Sequence, residues 1–517
     1  MCMKKTGSKL FFLGVLSLML AFALSNVAYG MEFADGRVTL NGFVKNWTAY
    51  RLGTYSHERG EGLSMFRNVL QLEAEAKVFE NVSLYTIWKG AREPAYHLED
   101  DAVAAGNFDE DIMNEEEFRE YYLTWQATDR VWLKVGKQQV VWGDLGGVGL
   151  RVMDIINPLD LRWHYAVEDF ETCRKPLTMI NTIYSIPEAD ANIQFVWMPA
   201  IDEPWERVNS LYGNPGHRYG LNQVPAGSLF GPPASLTMDG SWADGGTVPG
   251  WGPDTFVPGV PEDDEADPPN VRRRLSDSTL AIRWQQTRGG FSYALMECYT
   301  YNHNPTYHWE GSPLAGAPLN IRYFRQNIIG FSFNWYDNRT GSVWRGEIGH
   351  FHDAPYTADK RLMIGANLNP DFYHLEKKDT IKFGFGCDRR TFLNWLSPTR
   401  SVMYNTQIIG TWILGHDDDM VVPGYNTEVK ELDVLFTCFI NWGWNADRAQ
   451  INLYPAYNID REWGYLGAWI DCMPSAFAGN LTITPKVHLF YGKDAYTGDF
   501  GLTRGCSEAV LEIKYEF

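Results

Sequence analysis

Hydrophobic and polar residues alternate along many short segments of the chain, and the last segment shows the pattern most clearly. Between Glu508 and Phe517 the odd-numbered positions carry apolar or aromatic side chains, whereas the even-numbered positions 512, 514 and 516 carry charges. A period of two predicts a β-strand that separates two unlike environments. Similar segments recur from Val38 onward, including 70–78, 121–127 and 280–285. The pattern therefore predicts an all-β protein.

Tight turns and long connections alternate between the predicted strands. Turns at Asn81 and Asp129 are short, whereas the segments 93–117 and 200–277 are long. Short turns on one side and long loops on the other are typical of outer-membrane barrels. We therefore predict a transmembrane, antiparallel, up-and-down β-barrel of about 18 strands, with about 16 as the alternative. An even number of strands places both termini on the periplasmic side.

Residues 1–30 have the pattern of a signal peptide. Three lysines precede an apolar run from Leu10 to Leu24, and small residues follow at Ala28 and Gly30. The run is shorter than the roughly 20 residues that a membrane-spanning helix needs. We expect export of the chain, with residues 31–517 forming the barrel and the cell outer membrane as its location.

Composition and charge narrow the function classes. The formal net charge is -19 at pH 7, which argues against a nucleic-acid partner because phosphates require a basic surface. Aromatic residues make up 15% of the chain, with 20 Trp and 27 Tyr. Such a content suits the aromatic girdles of a membrane barrel, although aromatic-rich secreted lectins and glycosidases share it.

The stretch from Gly136 to Arg162 departs from strand patterning. Glycines at 143, 146, 147 and 149 interrupt it, and Val152–Ile156 is predicted to form a helical turn that Pro158 stops. We expect the segment 143–174 to fold into the lumen as a constriction loop, with its charges paired to the wall. An external loop with ordinary turn chemistry is the alternative. The candidate constriction residues are Trp142, Arg151, Asp154, Asn157, Asp160 and Arg162.

The same stretch carries a family signature. It contains the box G-[RK]-Q-x-x-x-W-G followed by N-P-x-D-L, formed here by Gly136, Lys137, Gln138, Trp142, Gly143, Asn157, Pro158, Asp160 and Leu161. In this box the chain resembles a family of Gram-negative outer-membrane barrels known as domain of unknown function 1302, with Lys137 where arginine is common. The resemblance implies a porin-like barrel and implies no particular activity. The final aromatics, Tyr515 and Phe517, resemble the terminal signal that barrel-assembly machinery reads.

Charged residues in predicted strands are the candidate lumen groups. They are Arg283, Arg322, Arg325, Arg345, Asp388, Arg389 and Arg390, together with Glu347. An arginine that faces lipid near the bilayer centre costs about 2 to 4 kcal/mol, so each should face water or the lumen. Two interpretations remain: charge pairs that order the wall, or an eyelet that selects a charged or amphipathic solute.

Cation sites are expected at most in outer loops. The segment 93–117 is acidic and lacks lysine and arginine, which suits divalent cations that bridge to lipopolysaccharide. His416 and the three aspartates after it could hold calcium. His350 and His352 lie two apart, so they share a strand face and could share a metal, although exposed barrel histidines usually bind none. We predict no resident metal or cofactor.

No catalytic motif stands out, so the chain is predicted not to be an enzyme. We expect a porin-like channel for small, hydrophobic or amphipathic solutes. The alternative is a structural barrel that docks or sheathes a periplasmic electron-transfer or efflux partner. Outer-membrane lipid, lipopolysaccharide and the barrel-assembly machinery are the expected partners, and the oligomeric state stays open.

Overall fold

Eighteen long antiparallel strands form one continuous sheet that closes on itself. The computed structural model describes residues 30–52, 62–95, 114–146, 151–160, 170–209, 272–304, 306–309, 319–359, 374–396, 400–422, 427–445, 447–477, 479–492 and 507–517. The expected leader lies outside the described residues except for Gly30, and so does most of the long segment 200–277. Each strand pairs with the strand before it and the strand after it in the sequence, which is the predicted up-and-down order.

The barrel strands have the following bounds in chain order. They are β1 Val38–Arg51, β2 Gly62–Phe79, β3 Val82–Arg92, β4 Glu115–Gln126, β5 Val131–Gln138, β6 Leu177–Ile186, β7 Ala191–Met198, β8 Thr279–Arg288, β9 Phe291–Tyr301, β10 Arg325–Asp337, β11 Ser342–Ala358, β12 His374–Thr391, β13 Val402–Ile413, β14 Leu432–Trp444, β15 Ala449–Asn458, β16 Trp463–Cys472, β17 Leu481–Gly492 and β18 Glu508–Glu516.

Several short strands and helical turns lie outside the eighteen barrel strands. Met31–Phe33 extends the sheet beside β1, and two small strand pairs join Thr306–Trp309 to Leu319–Arg322 and Val421–Val422 to Thr427–Glu428. The helical elements are a four-residue α-helix, Phe170–Cys173, and the 3-10 turns Pro187–Ala189, Pro204–Arg207, Leu275–Asp277 and Ser475–Phe477. Among the described residues, no helix has the length and apolar character needed to cross a membrane.

The first and last strands close the barrel. They pair from Arg51 opposite Glu508 to Phe43 opposite Glu516. Beyond this ladder, Gly42 and Phe517 exchange two backbone hydrogen bonds, each 2.9 Å long. Closure pairs the first barrel strand with the last, and a sheet that is exposed to lipid needs this because unpaired backbone groups are costly there. Phe517 therefore lies in the seam between the last strand and the first, and its role as a closure signal stays a prediction.

The two ends of the barrel differ in their connections. At the end where β1 begins and β18 ends, strands join through tight turns, such as Gly289-Gly290 between β8 and β9. We call this the short-turn end. At the opposite, long-loop end, extended segments separate β3 from β4, β5 from β6 and β7 from β8. The asymmetry matches the sequence prediction.

The outward face of the sheet is apolar. Ile282, Ile329 and Ile348 are 47%, 55% and 46% exposed, whereas the neighbouring Ala281 and Ile328 are 3% exposed and face the interior. Tyrosine and tryptophan side chains such as Tyr299 and Trp412 share the outward surface. An apolar band with aromatic residues is the surface that contacts lipid in transmembrane barrels.

Candidate functional site

A loop inside the barrel forms the candidate site, and we call residues 139–160 the inward loop. Its residues 147–150 lie outside the described residues. Trp142, Leu145, Met153 and Ile156 are almost completely buried, and they pack against interior-facing residues of β6 to β11. The outward neighbours of those wall residues are exposed, so the loop lies in the lumen. The described residues of the predicted segment 143–174 up to position 160 therefore pack against the inside of the wall.

One carboxylate holds two parts of the inward loop. Oε1 of Glu347, on β11, accepts hydrogen bonds from the backbone N–H groups of Asp144 and Leu145, at 2.5 and 2.6 Å. Oε2 accepts the N–H of Met153 at 2.8 Å. Glu347 is 3% exposed, so these contacts are shielded from water. We call this group of contacts the Glu347 latch.

Asp144 adds a side-chain contact beside the latch. Its carboxylate accepts hydrogen bonds from the Ser332 hydroxyl and from Nδ2 of Asn334, the latter at 3.2 Å. Both donors are on β10, next to the strand that carries Glu347. The loop is therefore bonded to two adjacent strands of the wall.

Two of the predicted lumen charges also support the loop. Arg345 donates from Nη1 to the backbone carbonyl of Asp144 at 3.0 Å, and from Nε to Oδ2 of Asp388 at 2.7 Å. Asn405 donates to the other oxygen of Asp388. Arg345 is near the start of β11, so the loop reaches the half of the lumen nearer the short-turn end.

Wall glycines make room for the loop side chains. A Cβ atom at Gly330 would be 2.0 Å from Cε of Met153, and one at Gly349 would be 2.8 Å from its sulfur. These two glycines are directly paired across β10 and β11. The thioether of Met153 therefore fits a recess over Gly330 and Gly349, and larger residues at these two positions would fill that recess.

Residues of the family signature between Gly136 and Gly143 hold the start of the inward loop. Trp142 is fully buried and donates from Nε1 to Oε1 of Gln194 at 2.9 Å. Gly143 has φ +91°, a conformation that favours glycine, and a Cβ there would be 2.6 Å from Oε1 of Glu347. Gln138 donates to the backbone carbonyl of Met179 at 3.2 Å. The box residues thus position the turn that leads to the latch.

Asn157 joins the two ends of the loop. Its Oδ1 accepts the N–H of Val140 at 2.8 Å, and its Nδ2 donates to the carbonyl of Lys175 at 2.8 Å. The carbonyl of Pro158 accepts the N–H of Lys175 at 2.8 Å, and Asp160 donates its N–H to Cys173 at 2.6 Å. Asn157 therefore stabilises the loop through hydrogen bonds between its side-chain amide and backbone groups, and Asp160 does so through its own backbone N–H.

The sequence predicts that charged residues of the loop form ion pairs with the wall, but Asp154 forms a different pair. Asp154 contacts Arg174 at 2.6 Å, and both side chains are 3% exposed. Burial raises the pKa of the Asp154 carboxyl, and the attraction of Arg174 opposes this shift. The pair lies within the segment that connects β5 and β6, so the expectation that Asp154 pairs with the wall is wrong. The wall side chains of Glu347 and Arg345 bind backbone groups of the loop.

The helical turn predicted for Val152–Ile156 does not form. A two-residue turn at 152–153 is present, and the short α-helix of this connection is Phe170–Cys173. The physical reason is that the Met153 N–H bonds to Glu347, so it is not directed to a helical carbonyl. Arg151 is half-buried, and Arg162 lies outside the described residues.

The remaining predicted charges occupy different places. Arg283 faces the interior, and its Nε has no hydrogen-bond partner among the described residues. Arg325 lies on the outward face near the long-loop end, where it packs on the Tyr301 ring and donates to the carbonyl of Ser278 at 2.8 Å. Arg325 therefore differs from the expected lumen position, because the strand alternation places it beside exposed Tyr299.

Three further arginines complete the set. Arg322 is half-buried at the end of the small strand Leu319–Arg322, opposite Thr306. Arg389 and Arg390 are exposed near the short-turn end of β12. Arg389 shares its strand parity with the outward Phe385, so it also lies away from the lumen, whereas Arg390 shares the interior parity of Asp388.

A polar ladder lies on a part of the wall outside the cluster that the described residues of the inward loop form. Asn441 donates to Asn452 at 2.7 Å, and Asn452 and Thr484 both donate to Asp471 at 2.9 Å. These four residues belong to β14, β15, β16 and β17 in that order. Lys486, also on β17, forms an ion pair with Glu512 of β18 at 3.0 Å. On β1, Nζ of Lys45 lies 3.9 Å from the centroid of the Trp47 ring.

An aromatic patch is above this ladder, toward the long-loop end. Tyr454, Tyr465 and Phe490 form a buried cluster, with Phe439 and Trp469 packed against it. The Tyr465 hydroxyl and Nδ1 of His488 are 2.6 Å apart. This part of the lumen wall therefore combines ring surfaces with polar atoms.

The two terminal aromatics pack across the closing seam. Tyr515 and Phe517 are 3% and 7% exposed and form a cluster with Val44 of β1. Leu70 and Leu481 extend the cluster over both neighbouring strands. These side chains stabilise closure, whereas their recognition by assembly machinery remains a prediction.

Several contributors to the site were not identified as such in the sequence. The sequence marks Glu347 as a lumen charge, but it does not predict the hydrogen bonds between this carboxylate and the loop backbone. Arg174, Gln194 and Ser332 were not singled out. Alternation could have placed Gln194 and Ser332 in the interior, but no local signal identifies which of many interior polar residues meets the loop.

A closed eighteen-stranded barrel with a loop latched inside it defines a porin-like transmembrane barrel. The model of the family described as "Protein of unknown function (DUF1302)" matches residues 53–516, and the chain belongs to that family. Among curated proteins, none matches the sequence.

Solved structures of bacterial outer-membrane proteins are similar over nearly the whole chain. OccAB4 of Acinetobacter baumannii has 8% identity and a TM-score of 0.47, with 95% of this chain and 99% of that chain covered. OccK8 (OprE) of Pseudomonas aeruginosa has 9% identity and a TM-score of 0.46, with 94% and 99% covered. Salmonella typhi OmpF, in complex with daunomycin, has 6% identity and a TM-score of 0.41, with 94% and 100% covered.

Proposed function

We propose that the chain forms an outer-membrane channel in which small solutes pass between the inward loop and the part of the wall that carries the polar ladder. The observation that carries this proposal is that the described residues of the inward loop pack against one side of the lumen wall, whereas a polar ladder lies on another side. The loop core packs against the interior of β6 to β11, whereas the hydrogen-bonded ladder from Asn441 to Thr484 belongs to β14 to β17. The apolar outward face and the signal-peptide pattern support placement in the outer membrane.

The width of the barrel supports a water-filled passage. Barrels of about 16 to 18 strands are too wide for their own side chains to fill. The inward loop occupies part of that width. Asp471 and the Lys486–Glu512 pair place polar and charged groups on the interior face of the wall, as in barrels with a polar lumen.

The wall composition favours amphipathic solutes. Tyr454, Tyr465 and Trp469 offer ring surfaces, and Lys486 and Asp471 offer charge on neighbouring strands of the same wall. A solute with an apolar ring and one polar or charged group can contact both. A uniformly polar solute gains little from the rings.

Liposomes that contain the purified protein test the proposal. We expect faster entry of a small aromatic acid than of a neutral sugar of similar size, and slower entry of both in protein-free liposomes. The Trp469→Ala variant should lose selectivity for the aromatic acid, whereas Trp444→Ala, on the outward face and 58% exposed, should keep it. Equal permeability of liposomes with and without folded protein would contradict the channel.

A further inference from the structure

A β-bulge on the outward face brings two histidines and two aspartates together. On β11 the register shifts between Phe351 and Ala354, so that His352 and Asp353 both lie opposite Asp379 of β12. Asp353 has φ +52°, and its N–H donates to Oδ1 of Asp379 at 3.1 Å. In a regular strand, Asp353 would point to the opposite face from His352. The bulge instead directs both toward one side.

The ligand atoms of this cluster are close to each other. Nδ1 of His352 is 2.9 Å from Oδ1 of Asp379, and Nε2 of His350 is 3.3 Å from Oδ2 of the same carboxylate. Nε2 of His352 is 3.9 Å from Oδ2 of Asp353. Two ligands of a tetrahedral zinc ion, each about 2.0 Å from the metal, are about 3.3 Å apart. An imidazole gives one nitrogen to a metal ion, and one ligand atom each of His352, Asp353 and Asp379 lie within 4.8 Å of one another. Small side-chain rotations can therefore bring these three atoms to the zinc spacing.

Within the described part of the chain, no lysine or arginine forms an ion pair with Asp353 or Asp379. The contrast with a second histidine–carboxylate group, at the long-loop end, is informative. There, His374 is 3.2 Å from Glu376, but Lys378 also contacts Glu376, at 3.7 Å. An ammonium group already neutralises that second site. Among the described residues, the side chains that pair with Asp353 and Asp379 are the imidazoles of His350 and His352.

The position of the cluster leaves it accessible to ions. His350 is paired with Ile329 and Ile381, and His352 is one step closer to the long-loop end. Ile381 is also paired with Trp412, an exposed outward tryptophan of the kind that marks the edge of the hydrocarbon layer. The side chains of His350, His352 and Asp353 are 41%, 59% and 54% exposed. The cluster is thus at the interface, beyond the purely apolar band.

We propose that His352, Asp353 and Asp379 bind a divalent transition-metal ion of the zinc type on the outward rim of the barrel, with His350 next to them against Asp379. Imidazole nitrogens with carboxylate oxygens are the donor set that such ions prefer, whereas calcium and magnesium prefer oxygen alone. The bulge is then a structural requirement of the site, because it supplies Asp353. The site is separate from the lumen and from the proposed transport of solutes.

A competition titration with tag-free protein in detergent tests this site. The protein is treated with a chelator, exchanged into metal-free buffer and titrated with zinc against a chromophoric chelator. We expect wild type to withdraw one zinc ion per chain. His352→Asn and Asp379→Asn should each weaken zinc binding by about tenfold or more, since each removes a ligand.

The matched control is His374→Asn, which alters the histidine of the second group and should leave zinc affinity unchanged. Folding of every variant is verified by the heat-dependent shift of barrel mobility in gel electrophoresis. Cobalt substitution adds a second readout, because loss of an imidazole ligand changes the visible absorption. Zinc binding that is absent in folded wild type, that survives in both ligand variants, or that disappears in His374→Asn would overturn the proposal.

Discussion

The carboxylate of Glu347 on the barrel wall accepts the backbone N–H of Met153 in the lumen, at 2.8 Å. The same carboxylate accepts two further N–H groups, from Asp144 and Leu145. Hydrogen bonds to a charged group contribute about 1.5 to 3 kcal/mol each, and a buried N–H without a partner costs a similar amount. A single wall residue therefore stabilises much of the seated loop.

Replacing Glu347 with glutamine should release the inward loop. The amide keeps one acceptor oxygen, so at least one buried N–H loses its partner, and seating should weaken by about 2 kcal/mol. Trypsin cleavage after Arg151, followed by mass spectrometry of the folded protein, measures release. We expect cleavage to become about 30-fold faster, the equivalent of that free energy.

Glu73→Gln is the control for this substitution. Glu73 is an interior carboxylate on β2 that accepts hydrogen bonds from Gln71 and from the Tyr85 hydroxyl, and it forms no hydrogen bond with the described residues of the loop. Its replacement should leave cleavage after Arg151 at the wild-type rate. Equal rates in Glu347→Gln and wild type would show that the latch does not hold the loop.

Alanine at Gly143 should disturb the loop more than alanine at Gly479. Both glycines have φ +91°, so both substitutions incur a backbone cost of about 1 to 2 kcal/mol. A Cβ at Gly143 would also be 2.6 Å from Oε1 of Glu347, whereas one at Gly479 meets nothing within 4 Å. Only Gly143→Ala should speed tryptic cleavage after Arg151. Similar cleavage in the two variants would place Gly143 away from the latch.

The loop should be held more firmly in acid than at neutral pH. Burial raises the pKa of Asp154 in the seated loop, whereas in a released loop the carboxyl is hydrated and titrates near its ordinary value of about 4. A raised pKa gives stability that is fully present below the released-state value and is lost as pH rises through the seated-state value. Single-channel current should therefore fluctuate less as pH is lowered from neutrality.

Asp154→Asn removes the titrating group from this pH response. Its current fluctuations should depend much less on pH than those of wild type, whatever their absolute level. A wild-type response of opposite sign, or one that the variant retains unchanged, would assign the pH dependence to other groups.

Loss of the terminal ring should impair closure of the barrel. Phe517 is 7% exposed in the seam, and truncation of a buried phenylalanine to alanine costs about 3 to 5 kcal/mol. Phe517→Ala should lower the yield of heat-modifiable barrel in refolding experiments with lipid vesicles. Leu511→Ala, on the same strand but 43% exposed, should have a smaller effect. Equal yields for Phe517→Ala and wild type would refute a role in closure.

Strand alternation predicted most of the barrel because it is a local signal. Exposed Ile282 and Ile329, for example, are next to buried Ala281 and Ile328, and the period of two is interrupted where the register shifts, as between Phe351 and Ala354. The inward fold of the loop was also predictable, since Val152 and Ile155 are poorly suited to water.

The partners of the loop were not predictable from local patterns. Glu347 and Leu145 meet across the lumen although they are 202 positions apart in sequence. Arg174 was missed because its partner Asp154 was assigned to the wall, and Arg325 lies outward although its charge suggested the lumen. The bulge at Asp353 is equally invisible, because it depends on the register between β11 and β12.

The most direct measurement is the single-channel conductance of wild type and of a variant in which residues 146–161 are replaced by a short flexible linker. Both proteins are verified as folded barrels before reconstitution in planar bilayers. If the inward loop narrows an open lumen, wild type should show discrete conductance steps and the variant should show larger ones. Absence of conductance in both folded proteins, or identical steps in the two, would contradict the account.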